Sequence, residues 1–470
     1  MKEIKSSDPS FTLSLITFIT IILVISIGLF YLKTSLHSLM LCCIVVASLS
    51  ALTISSNGFN AIRKAMNSGL SSGFSAIYIF ILIGVLIAAF IQSGTLATLI
   101  YYGVQTISPS YFLPGGLILC SLMSLATGTS WGTVGTAGVM LMGIGTAMNI
   151  PAPLIAGMVI SGACFGDKMS PVSDTTNLSA MSSGTNLYVH IRSMAFTTGP
   201  AYIISLIIFA YLGLKFGSDP ISQGDLNNLT SGIEQLYCVG LIPLLPLLTM
   251  LILSIKRVPA EPTMMISIIV ACLIALFIQD KSFTGVLNAL YSGEAHHSGI
   301  PSIDQLFGRG GITSMMWTLS LSLMALALGG ILHEFGFIRV LMSGILQRIQ
   351  RTASLVFVTM LSCFLGNLSM GEAYMSIILG GKLFGEAFDK FDLDRAVMSR
   401  TLEEGATLTT ALIPWTTAGA FFSSTLGVQV LDYAPWALLN WINPLLSLVL
   451  AYLGIALFKK GTLTPIVTAN

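Results

Sequence analysis

The chain has 470 residues, of which 54% are hydrophobic and only 9% are charged, and its formal net charge is +1. A soluble domain carries roughly 25% charged residues, so this composition could not cover a water-exposed surface. It excludes a soluble enzyme, a nucleic-acid binder and a disordered protein. Many apolar runs approach the length of about 20 residues that crosses a bilayer. The composition predicts an all-α polytopic membrane protein surrounded by lipid.

Eight apolar runs predict clear membrane spans. In chain order they are 11–32, 36–56, 74–93, 194–214, 235–255, 263–279, 313–333 and 434–458. Between them, residues 95–180 and 335–430 are rich in Gly, Ser, Thr, Asn and Pro, which predicts broken helices or re-entrant segments. Such backbone is tolerated at membrane depth only where it is buried in protein or lines a water-filled cavity.

Lysine and arginine predict the orientation, because they concentrate in cytoplasmic loops. The basic loops contain Arg63 and Lys64, Lys256 and Arg257, Arg339, Arg348 and Arg351, and Lys459 and Lys460. The acidic loop around Asp219 and the mixed loop 280–312 are expected outside. We therefore expect a multi-pass protein of the cytoplasmic membrane with both termini in the cytoplasm.

An internal repeat appears when the chain is shifted by about 240 residues. The matching segments are 92–94 with 334–336, 128–132 with 367–371, 161–163 with 404–406, and Pro171 with Pro414. The predicted orientation makes the first copy begin with an outward span and the second with an inward one. Inverted repeats with broken helices are typical of secondary transporters, whose binding sites lie near the membrane midplane.

The repeat predicts five parts of the chain. They are N-terminal scaffold spans (1–73), a first repeat with a helix broken near 161–177 (74–214), a linker with scaffold spans and an external loop (215–312), a second repeat broken near 404–417 (313–433), and a last span with a cytoplasmic tail (434–470). The apolar spans 11–32, 36–56, 235–255 and 263–279 lack internal charges. We expect them to contact lipid or a second protomer and not the site.

The segment 161–177 is the most polar stretch next to an apolar run, and it contains Asp167 and Asp174. An ionised Asp at the bilayer centre costs about 3 kcal/mol, which a bound cation would offset. Pro171 should break the helix and free backbone carbonyls. Carboxylate, hydroxyl and carbonyl oxygens suit a hard cation such as sodium. The alternative is that 166–177 is a surface loop in which Asp167 and Lys168 form a solvated pair.

Three further stretches carry polar residues. Glu404 precedes the matching break at Pro414, whereas the adjacent Glu403 is expected at the membrane interface, paired with Arg400. The stretches 126–133 and 366–372 are expected to add a second shell of ligands, and close helix packing through small residues is the alternative.

These stretches give the candidate ion- or substrate-binding residues, with Asp174 as the first choice for a sodium ligand and Asp167 as the second carboxylate or the proton carrier. The full set is Gly128, Thr129, Ser130, Thr133, Asp167, Ser170, Ser173, Asp174, Thr175, Thr176, Asn177, Asn367, Ser369, Glu372, Glu404, Thr407, Thr410, Thr416 and Thr417.

The run from Gly166 to Asn177 closely resembles the NhaC family of sodium/proton antiporters, as do 128–133, 190–192 and 402–406. The likeness extends over about 75–455. It implies exchange of transported Na⁺ for H⁺ without a cofactor, and a homodimer whose transport domain moves like an elevator against a scaffold. Some relatives exchange malate and lactate, so a sodium- and proton-coupled exchanger of small carboxylates is the alternative. P-loop, GxSxG and HExxH motifs are absent, so the sequence does not indicate an enzyme.

Overall fold

A computed structural model describes residues 8–55, 58–217, 223–256, 258–293, 307–308, 310–346 and 349–463. Asp219, Arg257, Arg348 and the central part of the loop 280–312 lie outside these ranges. Within them, regular structure is helical apart from one isolated bridge between Leu393 and Lys459. The predicted all-α class is confirmed.

The helices of the predicted scaffold parts, 1–73 and 215–312, lie outside the two repeats. They are α1 (Phe11–Ser26, continued by a π-helical turn at Ile27–Tyr31), α2 (Leu36–Leu52), α3 (Phe59–Ser72), α12 (Gln223–Leu236), α13 (Leu245–Ile255), α14 (Ala260–Phe277) and α15 (Phe283–Ser292). The predicted continuous span 235–255 is wrong, because a loop and a 3₁₀ turn at Ile242–Leu244 separate α12 from α13. Pro243 and Pro246 lack the amide hydrogens that a continuous helix would use.

The first repeat consists of eight helices with short connections. They are α4 (Phe74–Gln92), α5 (Thr95–Thr106), α6 (Pro109–Thr127), α7 (Ser130–Thr133), α8 (Val139–Ala147), α9 (Ala152–Met169), α10 (Asp174–Ser183) and α11 (Leu187–Gly217). The segment Val134–Gly138 joins α7 to α8 as a π-helix. The predicted break at Pro171 therefore separates α9 from α10.

The second repeat follows the same order with α19 in place of α7 and α8. Its helices are α16 (Ile312–Glu334), α17 (Phe337–Leu346), α18 (Thr352–Met370), α19 (Ala373–Lys390), α20 (Arg395–Thr410), α21 (Thr417–Leu426) and α22 (Val430–Tyr433), and α23 (Leu438–Tyr452) lies in the part predicted as the last span. Pro414 lies in the break between α20 and α21, as predicted.

Glycines in the left-handed conformation fix the register between the repeats. Gly128 (φ 72°) ends α6 and Gly371 (φ 70°) ends α18. Such a glycine closes a helix at little steric cost. Gly128 is therefore equivalent to Gly371, and the predicted alignment of Gly128 with Asn367 is wrong by one helical turn. The alignment of Pro171 with Pro414 has the same offset as that of Gly128 with Gly371, and each proline lies in a helix break.

The first helices of the repeats, α4 and α16, pack in opposite directions. The Gly311 amide, just before α16, donates to the Gly84 carbonyl over 2.7 Å. At the other end of the contact, a Cβ built on Gly73 would lie 2.2 Å from Leu326. Residue numbers thus rise along α4 as they fall along α16. This antiparallel packing supports the inverted arrangement.

Helices long and apolar enough to cross a bilayer are α1 with its π turn, α6, α11, α16 and α18. Two bent pairs, α3 with α4 (45°) and the segment Val430–Trp436 with α23 (56°), reach that length together. The chain is a multi-pass membrane protein.

Equivalent glycines let the broken helices approach their neighbours. A Cβ on Gly162 of α9 would lie 2.6 Å from the Leu117 carbonyl oxygen of α6, and one on Gly405 of α20 would lie 2.9 Å from that of Met360 on α18. These crossings hold α9 and α20 inside the protein, with their polar residues away from lipid.

We expect Gly162→Ala to lower stability by about 1–3 kcal/mol, because its methyl group would overlap the backbone of α6. Gly115→Ala on α6 is the matched control, since a Cβ there meets nothing within 4 Å. Thermal unfolding followed by size-exclusion chromatography in detergent measures both. Equal melting temperatures for the two variants would contradict the close crossing.

Candidate ion-binding site

The two helix breaks meet at a cavity of about 510 Å³. Eleven of the predicted site residues line it, from both repeats. They are Gly128, Thr129, Ser130, Asp167, Ser173, Asp174, Thr175, Glu372, Thr407, Thr410 and Thr417. The fold therefore brings together residues that are far apart in the sequence.

Asp167 is the buried carboxylate of the first break, with 7% of its surface exposed. Its Oδ2 accepts hydrogen bonds from the Ser130 amide (3.0 Å) and the Ser130 hydroxyl (2.7 Å), and its Oδ1 accepts one from the Ser173 hydroxyl (2.6 Å). Charge-assisted bonds of this kind compensate part of the cost of burying a carboxylate. The hydroxyl oxygens also lie within reach of any cation bound at Asp167.

Asp174 lies on the same side of the cavity in a different environment. It is the first residue of α10, and its side chain is exposed. An exposed carboxylate needs no cation to offset burial. The geometry therefore favours Asp167 over Asp174 as the central carboxylate, which reverses the order expected from the sequence.

Glu372 is the buried carboxylate of the second break. It precedes α19, has 6% of its surface exposed, and accepts a 2.6 Å hydrogen bond from the Thr417 hydroxyl. The Thr417 amide donates to the Gly371 carbonyl (2.9 Å), which joins α21 to the end of α18. Thr410 occupies the position equivalent to Asp167, and its hydroxyl has no hydrogen-bond partner among the described residues. That oxygen is free to coordinate a cation.

Eight predicted residues lie outside the cavity wall: Thr133, Ser170, Thr176, Asn177, Asn367, Ser369, Glu404 and Thr416. Most of them bond to backbone carbonyls near the breaks. The Ser170 hydroxyl donates to the Leu125 carbonyl (2.8 Å), and the Thr176 hydroxyl donates to that of Lys168 (3.0 Å). These polar residues satisfy the carbonyls that a broken helix leaves without amide partners.

Helices α13 and α14 form the far wall, through Met250, Glu261, Thr263 and Met264. The expectation that the spans 235–255 and 263–279 lie away from the site is therefore wrong. A lack of charge in a span does not reveal which of its faces contacts protein. Glu261, just before the apolar run 263–279, is the residue in the sequence that could have indicated a contact with the site.

Trp131 and Tyr374 also line the cavity and were not predicted. Trp131 stacks on Phe421 of the second repeat, with ring centroids 4.3 Å apart. This stack joins α7 to α21 at the cavity wall.

A cluster of fully buried charges lies beside the cavity and consists of Lys168, Arg400, Glu403 and Glu404. Glu403 accepts hydrogen bonds from Thr175 (3.0 Å) and Ser179, so its expected place at the membrane interface is wrong. The surface-loop alternative for 166–177 is wrong as well, since Asp167 and Lys168 are buried in the last turn of α9.

Comparison with known proteins identifies the family. A family model described as "Na+/H+ antiporter family" matches residues 162–455. The chain belongs to the Na⁺/H⁺ antiporter family. It is 36% identical over 464 residues to the Na⁺/H⁺ antiporter NhaC of Alkalihalophilus pseudofirmus, covering 98% of both chains. It is also 36% identical to NhaC of Bacillus subtilis, covering 94% of this chain and 98% of that one. A malate-2H⁺/Na⁺-lactate antiporter of Bacillus subtilis is 34% identical, covering 78% of this chain and 79% of that one.

Thiol labelling can test where the cavity ends along α7. Thr129 lines the cavity, whereas Thr133, one turn later, is fully buried and donates to the Thr129 carbonyl. In a variant whose seven cysteines are replaced by serine, we expect a water-soluble methanethiosulfonate reagent to modify Thr129→Cys and not Thr133→Cys. Equal labelling at both positions would contradict this boundary.

Proposed function

We propose that the protein exchanges sodium for protons by letting both ions compete for Asp167 and Glu372. The observation that supports this most is the chemistry of the cavity wall. It carries four carboxylates, those of Asp167, Asp174, Glu261 and Glu372. A cleft with charges of one sign concentrates ions of the opposite sign. The wall therefore attracts cations.

Sodium binding would use oxygen atoms from both breaks. Asp167 supplies a carboxylate beside the hydroxyls of Ser130 and Ser173, and the second break supplies Glu372 and the free Thr410 hydroxyl. Oxygen ligands of mixed charge suit a hard cation. A ligand set drawn from both repeats would hold the two broken helices around one ion.

Proton coupling follows from the same carboxylates. A carboxyl group that holds a proton is neutral and attracts sodium weakly, so each ion excludes the other. Carrying an unoccupied, ionised pair of carboxylates through the membrane interior is costly. The site would therefore cross loaded with either sodium or protons. We propose that the broken helices α9–α10 and α20–α21 make this movement together against α13 and α14, as in an elevator.

Exchange of malate or lactate is the second candidate, and the relative from Bacillus subtilis favours it. The carboxylate-rich wall opposes it, because an organic anion would meet like charges. A cavity of about 510 Å³ is large enough for a small organic acid. Addition of either acid to the transport assay distinguishes the two candidates.

We further propose that the protein lies in the cytoplasmic membrane with both termini in the cytoplasm. The support is the concentration of basic residues in the loops and tail expected on the cytoplasmic side, namely Arg63, Lys64, Lys256, Lys459 and Lys460. The homodimer that the NhaC resemblance implies stays a prediction.

We expect Asp167→Asn to abolish sodium-dependent proton movement, because the amide keeps the shape and loses the charge for which the ions compete. Asp174→Asn should retain exchange, since that side chain is exposed. Everted membrane vesicles with a pH-sensitive dye measure the exchange, and sodium is added alone or with malate or lactate. Protein levels in the vesicles are compared by immunoblot.

Wild-type exchange in Asp167→Asn, or inactive Asp174→Asn with active Asp167→Asn, would overturn the assignment of the central carboxylate. Exchange that requires malate or lactate would replace the sodium/proton antiporter with the organic-acid exchanger.

A further inference from the structure

A buried ion pair joins the two broken helices beside the cavity. Lys168 lies one residue before the end of α9 and Glu404 lies on α20, with Nζ and Oε1 3.6 Å apart. Both side chains are fully buried. Neither residue lines the cavity, although Lys168 directly follows Asp167, which does. The pair thus lies next to the ion site without belonging to its wall.

Several groups hold Glu404 at this position. Its Oε1 accepts hydrogen bonds from the side-chain Nδ2 of Asn443 on α23 (3.3 Å) and from the Thr197 hydroxyl of α11. Helix α11 belongs to the first repeat, and α23 is the last span. The carboxylate is therefore held in a fixed position opposite the Lys168 ammonium group. Its functional role then depends on its charge and not on its mobility.

The positive and negative charges of the surrounding cluster balance. Glu403 and Glu404 are two acids, and Lys168 and Arg400 are two bases, all fully buried. Arg400 donates to the Ser193 carbonyl (3.3 Å), and Glu403 is bonded to hydroxyls of α10. A buried ion that loses its partner is costly, so each acid matters to the bases around it.

The Lys168 charge would weaken cation binding at Asp167 if nothing neutralised it. A unit charge about 10 Å from a site, at an effective dielectric constant of about 20, changes the affinity for a monovalent cation by roughly tenfold. Glu404 supplies the opposite charge 3.6 Å from the Lys168 ammonium group.

We infer that Glu404 is a positioning residue that sets the sodium affinity of the Asp167 site by neutralising Lys168. The inference rests on the proposed sodium site. It assigns Glu404 an indirect role through Lys168, in place of direct contact with the ion. It also explains why the adjacent residues of α9 have opposite charges: Asp167 faces the cavity, and Lys168 joins α9 to α20.

The test compares the sodium concentration that gives half-maximal exchange in four variants. Glu404→Gln keeps the shape and an acceptor oxygen but leaves Lys168 unneutralised, so we expect that concentration to rise roughly tenfold. The double variant Lys168→Met/Glu404→Gln removes both charges and should return it close to the wild-type value. Glu404→Asp keeps the charge and should also resemble the wild type.

Asp389→Asn is the control for loss of a carboxylate, because Asp389 pairs with Arg395 on the surface. It should leave the sodium dependence unchanged. Folding is checked for every variant by size-exclusion chromatography.

An unchanged sodium dependence in Glu404→Gln, or a double variant as impaired as the single one, would overturn the inference. If Glu404→Gln does not fold, a folded double variant with wild-type sodium dependence supports charge compensation. Failure of the double variant and Glu404→Asp to fold would instead indicate a purely structural role. Normal exchange in Asp167→Asn would refute the proposed function independently of these results.

Discussion

Burying carboxylates in a membrane protein requires local compensation, and this constraint explains the arrangement around both helix breaks. Asp167 receives three hydrogen bonds from Ser130 and Ser173, and Glu372 receives one from Thr417. Glu404 also accepts hydrogen bonds from Thr197 and Asn443, but it differs in lying beside the ammonium group of Lys168. The two kinds of compensation differ in consequence. A carboxylate with hydroxyl partners can still accept a cation, whereas one with an ammonium partner is already neutralised.

Both copies of the inverted repeat supply these partners with the same kinds of helix. Each copy contributes one helix that breaks at a proline and one helix that ends at a left-handed glycine, Gly128 or Gly371. The breaks of the two copies meet at a single cavity. The copies are not chemically identical, since Asp167 in the first corresponds to Thr410 in the second. Duplication of the backbone and divergence of the side chains thus place a charged and a neutral ligand at equivalent positions.

Much of this architecture could be predicted from the sequence, because prolines and polar residues inside apolar runs have few physical explanations. The breaks at Pro171 and Pro414, the all-α class and the family were all predicted correctly. Pairwise contacts between distant helices could not be predicted. Asp174 has more hydroxyl-bearing neighbours in sequence than Asp167, yet it is exposed. Likewise, an apolar sequence does not reveal that α13 and α14 turn Met250 and Met264 towards the cavity.

The central claim is that sodium and protons compete for the same buried carboxylates. The most direct test adds sodium to the purified protein in weakly buffered detergent solution and measures the protons released. The account predicts that sodium binding releases protons from the wild-type protein and that Asp167→Asn releases fewer or none. Saturating sodium binding without proton release, at a pH where the wild type exchanges both ions, would contradict it.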